Sequence, residues 1–148
     1  MHRIAIYFNQ IMKNGKISNA EYQMLAALRY ALRQFLHFSE ESAQAVGLTA
    51  QQHQALLAIK GFPERDRVTM KEFAERLQIY PHSAVGLANR LAAKNLVHRQ
   101  RDKKDRRQIY LALTRRGETV LHKLSAAHRK QLRQIGPHIE SLLKRVRE

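Results

Sequence analysis

Residues Arg101 to Gly117 read RDKKDRRQIYLALTRRG. The stretch opens with charge and closes with apolar residues in alternation, Ile109, Leu111 and Leu113. Alternation with a period of two is the mark of a half-buried strand. Just upstream, Leu96-Val97-His98-Arg99-Gln100-Arg101 alternates weakly and reads as a partner strand. The two form a hairpin with a basic tip. Six of the nine residues from Arg99 to Arg107 are Lys or Arg, and Asp102 and Asp105 are set among them. Asp105 lies two residues before Arg107, close enough in a tight turn to hold its guanidinium by a bidentate pair. A solvated turn needs no such carboxylates.

Upstream of the hairpin the sequence is helical. Three Ser/Thr-x-x-Glu/Gln boxes, Ser18 to Glu21, Thr49 to Gln52 and Thr69 to Glu72, each predict a helix start. After the first, Leu25, Leu28, Leu32 and Phe35 repeat at helical spacing, with an end near His37 to Glu41. The second helix runs to about Lys60, with Leu56 and Ile59 inward, and Gly61 stops it. The third is short, with Phe73, Ala74 and Leu77 inward. Tyr80-Pro81-His82-Ser83 starts a fourth, because proline suits a first helical turn. Its apolar face is Val85, Ala88, Leu91 and Ala92, and Asn95 suits a left-handed stop near Lys94.

Thr114 caps a further helix, with Glu118 in its first turn and Leu121, Leu124, His128, Leu132 and Ile135 recurring along it. Gly136-Pro137 predicts a break before a last helix carrying Ile139, Leu142, Leu143 and Val146. Two short helices joined by a tight turn and followed by a hairpin make a winged helix-turn-helix. The expected fold is mainly α with a small β-hairpin. Residues 1–48 would form an N-terminal segment and first dimerisation helix, 49–113 the winged unit, and 114–148 the C-terminal dimerisation helices. The outer apolar stripes ask for a second copy of the chain.

The totals agree with a polyanion partner. The 148 residues carry 27 Lys and Arg against 12 Asp and Glu, a formal net charge of +15. Cysteine is absent, which excludes disulfides and thiolate metal sites. No run is long enough to span a membrane, and the apolar patch Ile4 to Phe8 is too short for a signal peptide, so the expected compartment is the cytoplasm. A membrane-surface module would place its basic charge on an amphipathic helix, not a hairpin. An enzyme lacks its parts: no Gly-rich phosphate loop and no nucleophile elbow occur, so no catalytic residue and no cofactor is expected. The eight histidines include no i, i+4 pair, so no metal is expected.

The DNA-facing residues follow from these placements. His82, Ser83 and Gly86 lie opposite the apolar face of the fourth helix, Arg90 follows a turn later, and Tyr80 stands at its entrance. Gly86 is open to two readings, close approach of backbone to DNA or tolerance in packing. Lys103, Lys104 and Arg106 are open to two readings, phosphate contacts or simply solvated charges. The alternative is a basic architectural protein binding DNA or RNA without sequence preference.

LTAQQHQALLAIKG, from Leu48, and NRLAAKNLVHRQRDKKDRRQIYLALTRRG, from Asn89, resemble the MarR family of bacterial transcriptional regulators. The resemblance rests on an Arg-Leu pair, a Leu-Val strand start, Asp-x-x-Asp-Arg-Arg and Leu-Thr-x-x-Gly. It implies a homodimer that binds a pseudo-palindromic double-stranded DNA site and represses until a small aromatic or anionic ligand loosens it. It also implies that Arg107 enters the minor groove, oriented by Asp105. His53 stands where the family often has a large aromatic, and with Tyr30 and His37 it is a candidate to line a ligand cavity. The chain departs from the family at Asn95, where Gly is common, and at Val85-Gly86, where a Thr is often followed by Arg or Lys. At that turn the resemblance therefore supplies no base contact.

Overall fold

The computed structural model describes residues 2–11 and 15–147. Met1, residues 12–14 and Glu148 lie outside the described residues, so the expected segments 1–48 and 114–148 are seen without them. The order is α1 (His2–Ile11), α2 (Asn19–Ala45), α3 (Ala50–Lys60), β1 (Arg67–Thr69), α4 (Met70–Leu77), α5 (Pro81–Ala93), β2 (Val97–Arg101), β3 (Ile109–Leu113) and α6 (Arg115–Arg147). Two compact units divide the chain: Phe35–Gln134, and Met1–Gln34 together with Ile135–Glu148.

The first unit is the winged helix-turn-helix. Its core gathers Ala55, Leu56 and Ile59 from α3, Phe73 and Ala74 from α4, and Ala84, Leu87, Ala88 and Leu91 from α5, with Leu111 and Leu113 from β3 and Leu121 and Leu124 from α6. The three boxes all close. Ser18 and Glu21 exchange backbone-to-side-chain bonds, and so do Thr49 with Gln52 and Thr69 with Glu72. Burial pushes the Glu72 carboxyl up, yet bonds from the Thr69 backbone and hydroxyl, with Arg65 beside it, hold it below its ordinary value.

Three helices stop by the same device. Around Gly47, Gln78 and Asn95 the backbone turns left-handed, at φ of 78°, 54° and 57°. In each case the next N–H reaches back to a carbonyl in the last turn: Leu48 to Ala43, Ile79 to Ala74 and Leu96 to Leu91. This is the Schellman closure, which satisfies carbonyls that a helix end leaves open. It carries α2 to Ala45, beyond the end expected near His37 to Glu41.

The sheet has a third strand that sequence alone does not suggest. Order is β1-β3-β2, antiparallel throughout, with Val68 opposite Leu111 and Arg101 opposite Ile109. Val68 is fully buried. Three residues are too few to show a period, which is why β1 is silent in the sequence.

The C-terminal half corrects two expectations. Gly136-Pro137 does not break the chain into two helices, and α6 runs through Pro137. A proline deletes one i to i−4 bond, and the bonds on either side keep the path helical. Leu121 and Leu124, expected on an unburied stripe, belong to the winged core, and Leu142 is 4% exposed. The large apolar residues that α6 leaves open are Leu132, Leu143 and Val146. In α2 the buried hydrophobic residues are Met24, Ala31 and Ala43, while Leu25 and Leu32 are exposed. A face set by small residues is hidden from a pattern that follows leucines.

Candidate nucleic-acid interface

The wing loop, residues 102–108, is shaped by its two carboxylates. Asp102 accepts from the Lys104 N–H at 3.2 Å, and Asp105 from the Arg107 N–H at 3.1 Å. The loop is closed by the Asp102 N–H on the Gln108 carbonyl, 2.9 Å, and by the Gln108 N–H on the Asp105 carbonyl, 3.0 Å. The Arg101 guanidinium donates to the Arg106 carbonyl. Carboxylates thus spend their oxygens on the backbone, where Asx turns replace missing ladder bonds. Lys103, Lys104, Arg106 and Arg107 are left exposed at the tip. The Arg107 side chain is 96% exposed, with Nε 3.6 Å from Asp105 Oδ1. The contact is single and not the expected bidentate fork.

A second basic cluster is not legible in the sequence. Arg67 on β1 stacks over the Tyr110 ring at 4.0 Å. It lines a cleft with Gln100, Arg101, Lys103 and Lys104 at the base of the wing.

The helix-turn-helix sits on the same unit. α5 turns Ala84, Leu87, Ala88 and Leu91 to the core. His82, Ser83, Val85, Asn89 and Arg90 are exposed. Val85, expected on the apolar face, is 42% exposed and lies on the outer one. Successive residues are about 100° apart on a helix, which carries position 85 out of the arc set by 84, 88 and 91. Tyr80 is exposed and stacks on His82 with ring centroids 5.8 Å apart, so the helix entrance is an aromatic shelf. Arg99 of β2 donates to Asn89 Oδ1 at 2.7 Å, tying the wing to α5.

At Gly86 the outer face of α5 is open. A Cβ placed there would lie 3.4 Å from the Arg90 guanidinium and near nothing else, so Gly86 leaves the notch into which Arg90 folds. Gly86→Ala is expected to raise stability by about 1 kcal/mol, because alanine is the better helix former and the contact is with a flexible tip. Urea unfolding midpoints of the two proteins check this.

Residues 46–108, which hold α3 to the wing, match the family model described as MarR family. The likeness to the MarR family thus covers the winged unit and under half of the chain. The HTH-type transcriptional repressor MdtR of Bacillus subtilis (strain 168) is 33% identical over 89 residues, covering 60% of this chain. That match spans 56% of the relative's length. A MarR family protein from Bacillus stearothermophilus has the same fold with a TM-score of 0.73, 17% identity, and coverage of 90% of this chain and 94% of that one. A mutant of MepR from Staphylococcus aureus, bound to an oligodeoxyribonucleotide, gives 0.64 at 16% identity, with 88% and 96% covered.

The chain also holds a pocket inside the unit Phe35–Gln134. Its volume is about 500 Å³, and Phe35, His53, Leu57, His128, Arg129 and Arg133 are among its lining residues. His53 is 2% exposed and its ring lies 4.8 Å from that of His128. His128 Nδ1 is 2.6 Å from the Leu124 carbonyl, which can only accept, so Nδ1 carries a proton. Nε2 of His128 and Nδ1 of His53 are buried without a protein partner. Burial, with His128 adding repulsion, lowers His53 to about 4, so the ring is neutral near pH 7. The other two ligand candidates lie elsewhere. His37 pairs with Glu41 at 3.1 Å on the surface, and Tyr30 is 62% exposed; neither lines the pocket. Among the described residues no group of three His, Asp or Glu converges for a metal, and no helix is long and apolar enough to cross a membrane.

Proposed function

We propose that the chain is a cytoplasmic, non-enzymatic transcriptional regulator that binds a pseudo-palindromic double-stranded DNA site as a homodimer. The observation that carries this reading is the wing: four exposed cations on a loop whose two carboxylates hold its backbone in one shape. An architectural protein that coats nucleic acid needs charge but no such shaping. The likeness to a repressor, and to a regulator bound to an oligodeoxyribonucleotide, supports the same conclusion. The exposed Leu25, Leu32, Leu132, Leu143 and Val146 favour a second copy as cover.

The test is selection of bound genomic fragments followed by footprinting. An inverted repeat protected with half-sites roughly 10 base pairs apart, two chains per site, is the expected result. Protection of no fixed site would return the architectural reading. On the selected site, Arg107→Ala should weaken binding roughly tenfold, more than Lys103→Ala, since a groove arginine outweighs one screened phosphate contact. Asp105→Ala should also weaken binding, although it removes a negative charge. Tighter binding by that variant would reduce Asp105 to simple repulsion from phosphate. Affinity should fall with salt, and removing one phosphate-binding cation should lower the log–log slope by about 0.9.

Release by a small aromatic or anionic ligand belongs to the same proposal. The pocket offers apolar walls, two unpartnered imidazole nitrogens and the cations Arg129 and Arg133. A hydroxyl, which can donate or accept, can bond these ring nitrogens while an acid group meets an arginine. By linkage, the ligand weakens operator binding only as much as operator weakens ligand binding.

A further inference from the structure

The outer face of α5 mixes polar groups with one aliphatic side chain. His82, Val85 and Asn89 follow one another at three and four residues, and Ser83, Gly86 and Arg90 form the neighbouring row. Val85 is the one large apolar side chain exposed within Pro81–Ala93. Its flanks are low. Gly86 has no side chain, and the Arg90 guanidinium folds back into the notch beside it. Asn89 is held from the wing side, because its Oδ1 takes the Arg99 bond at 2.7 Å. Val85 therefore projects from the middle of the face, with its position fixed by a helix whose opposite side is fully buried.

A valine cannot bond a phosphate, a sugar hydroxyl or the donor and acceptor edges of a base. The major groove offers one apolar group, the C5-methyl of thymine. We propose that Val85 reads a thymine methyl in each half-site, making it a specificity-determining residue. The assignment rests on the DNA-binding reading above. Val85 branches at Cβ, so its χ1 is nearly fixed in a helix and both methyls are presented in one geometry.

Uracil scanning isolates the contact, because uracil differs from thymine only in lacking that methyl. On the selected operator, thymines are replaced one at a time in both half-sites, and binding is measured for the full chain and for Val85→Ala. Exposed valine to alanine in a helix leaves the fold intact, which circular dichroism confirms. For the parent, one thymine per half-site should stand out, its replacement weakening binding about fourfold per half-site, the worth of one methyl-sized apolar contact. Val85→Ala should lose a similar factor on the thymine site and become indifferent to uracil there. The same uracil profile in both proteins, or a flat profile in the parent, would overturn the assignment while leaving site-selective binding intact. A parent chain that selects no site at all would instead bring down the DNA-binding reading.

Discussion

Gly117→Ala is expected to cost about 3 kcal/mol of stability, at the upper end of what overpacking a filled site does. A Cβ on Gly117 would stand 2.1 Å from the Leu96 carbonyl oxygen and 3.1 Å from its carbon. Both are backbone atoms, so no side chain can swing aside. Nor can the turn move freely. The Leu96 carbonyl accepts from the Thr114 N–H at 3.0 Å, and the Thr114 hydroxyl donates to the Asn95 carbonyl at 2.7 Å while accepting from the Gly117 N–H at 3.0 Å. The first turn of α6 is thus laid directly on the stop of α5. Relief would require giving up those bonds or the Schellman closure at Asn95. Urea unfolding by circular dichroism measures the effect, with Gly86→Ala as the control for adding a methyl where there is room. A Gly117→Ala protein within about 1 kcal/mol of its parent, the size of an ordinary surface change, would mean that the packing of α6 on the turn yields easily. The same loosening should reach DNA, because α5 and β2 flank that turn.

What can be read from the sequence follows how far along the chain each signal extends. Asn95 declares its left-handed turn because asparagine tolerates it, whereas Gln78 makes the same turn with a residue that gives no warning. Gly47 is plain in the sequence, yet the leucine spacing that marks α2 fades after Phe35, and the expected end falls short of it. The wing is legible as a basic turn with working carboxylates, because both act within two residues of their own position, but that they hold backbone N–H groups and not a guanidinium fork is not. Contacts across the fold are not. The bond between Arg99 and Asn89 and the stacking of Arg67 on Tyr110 join residues of different elements, and no local pattern encodes such pairing. The same limit explains the ligand candidates. His53 faces the pocket because a buried helix face puts it there, while nothing local tells Tyr30 and His37 apart from it. Val85 shows the cost of treating every aliphatic residue as core. On α5 half of the core face is built from alanine, and the one valine looks outward.

Acid should expose the cost of burying His53. Its folded value near 4 lies below the ordinary 6.5, so between those limits the unfolded chain binds a proton that the folded chain refuses. Stability then rises with pH across that window: it is fully present above about 6.5 and falls progressively toward pH 4, by about 3 kcal/mol in all. The groups around the ring explain why it resists charge. Phe35 and Phe38 of α2 pack their edges near His128, Gln54 and Leu57 of α3 flank His53, and α6 brings His128, Arg129 and Arg133. His128 adds repulsion, and no carboxylate lines the pocket to stabilise an imidazolium. His53→Leu removes the titrating group at similar volume and without a polar atom to bury. Unfolding free energies of parent and variant, measured at closely spaced steps from neutral pH down toward the folded value of His53, should diverge as pH falls, the parent losing more. Carboxylates such as Glu72 titrate in both proteins and cancel in the difference. Parallel curves would mean that folding leaves the proton affinity of His53 unchanged, and the cost assigned to burying the ring would have to be abandoned.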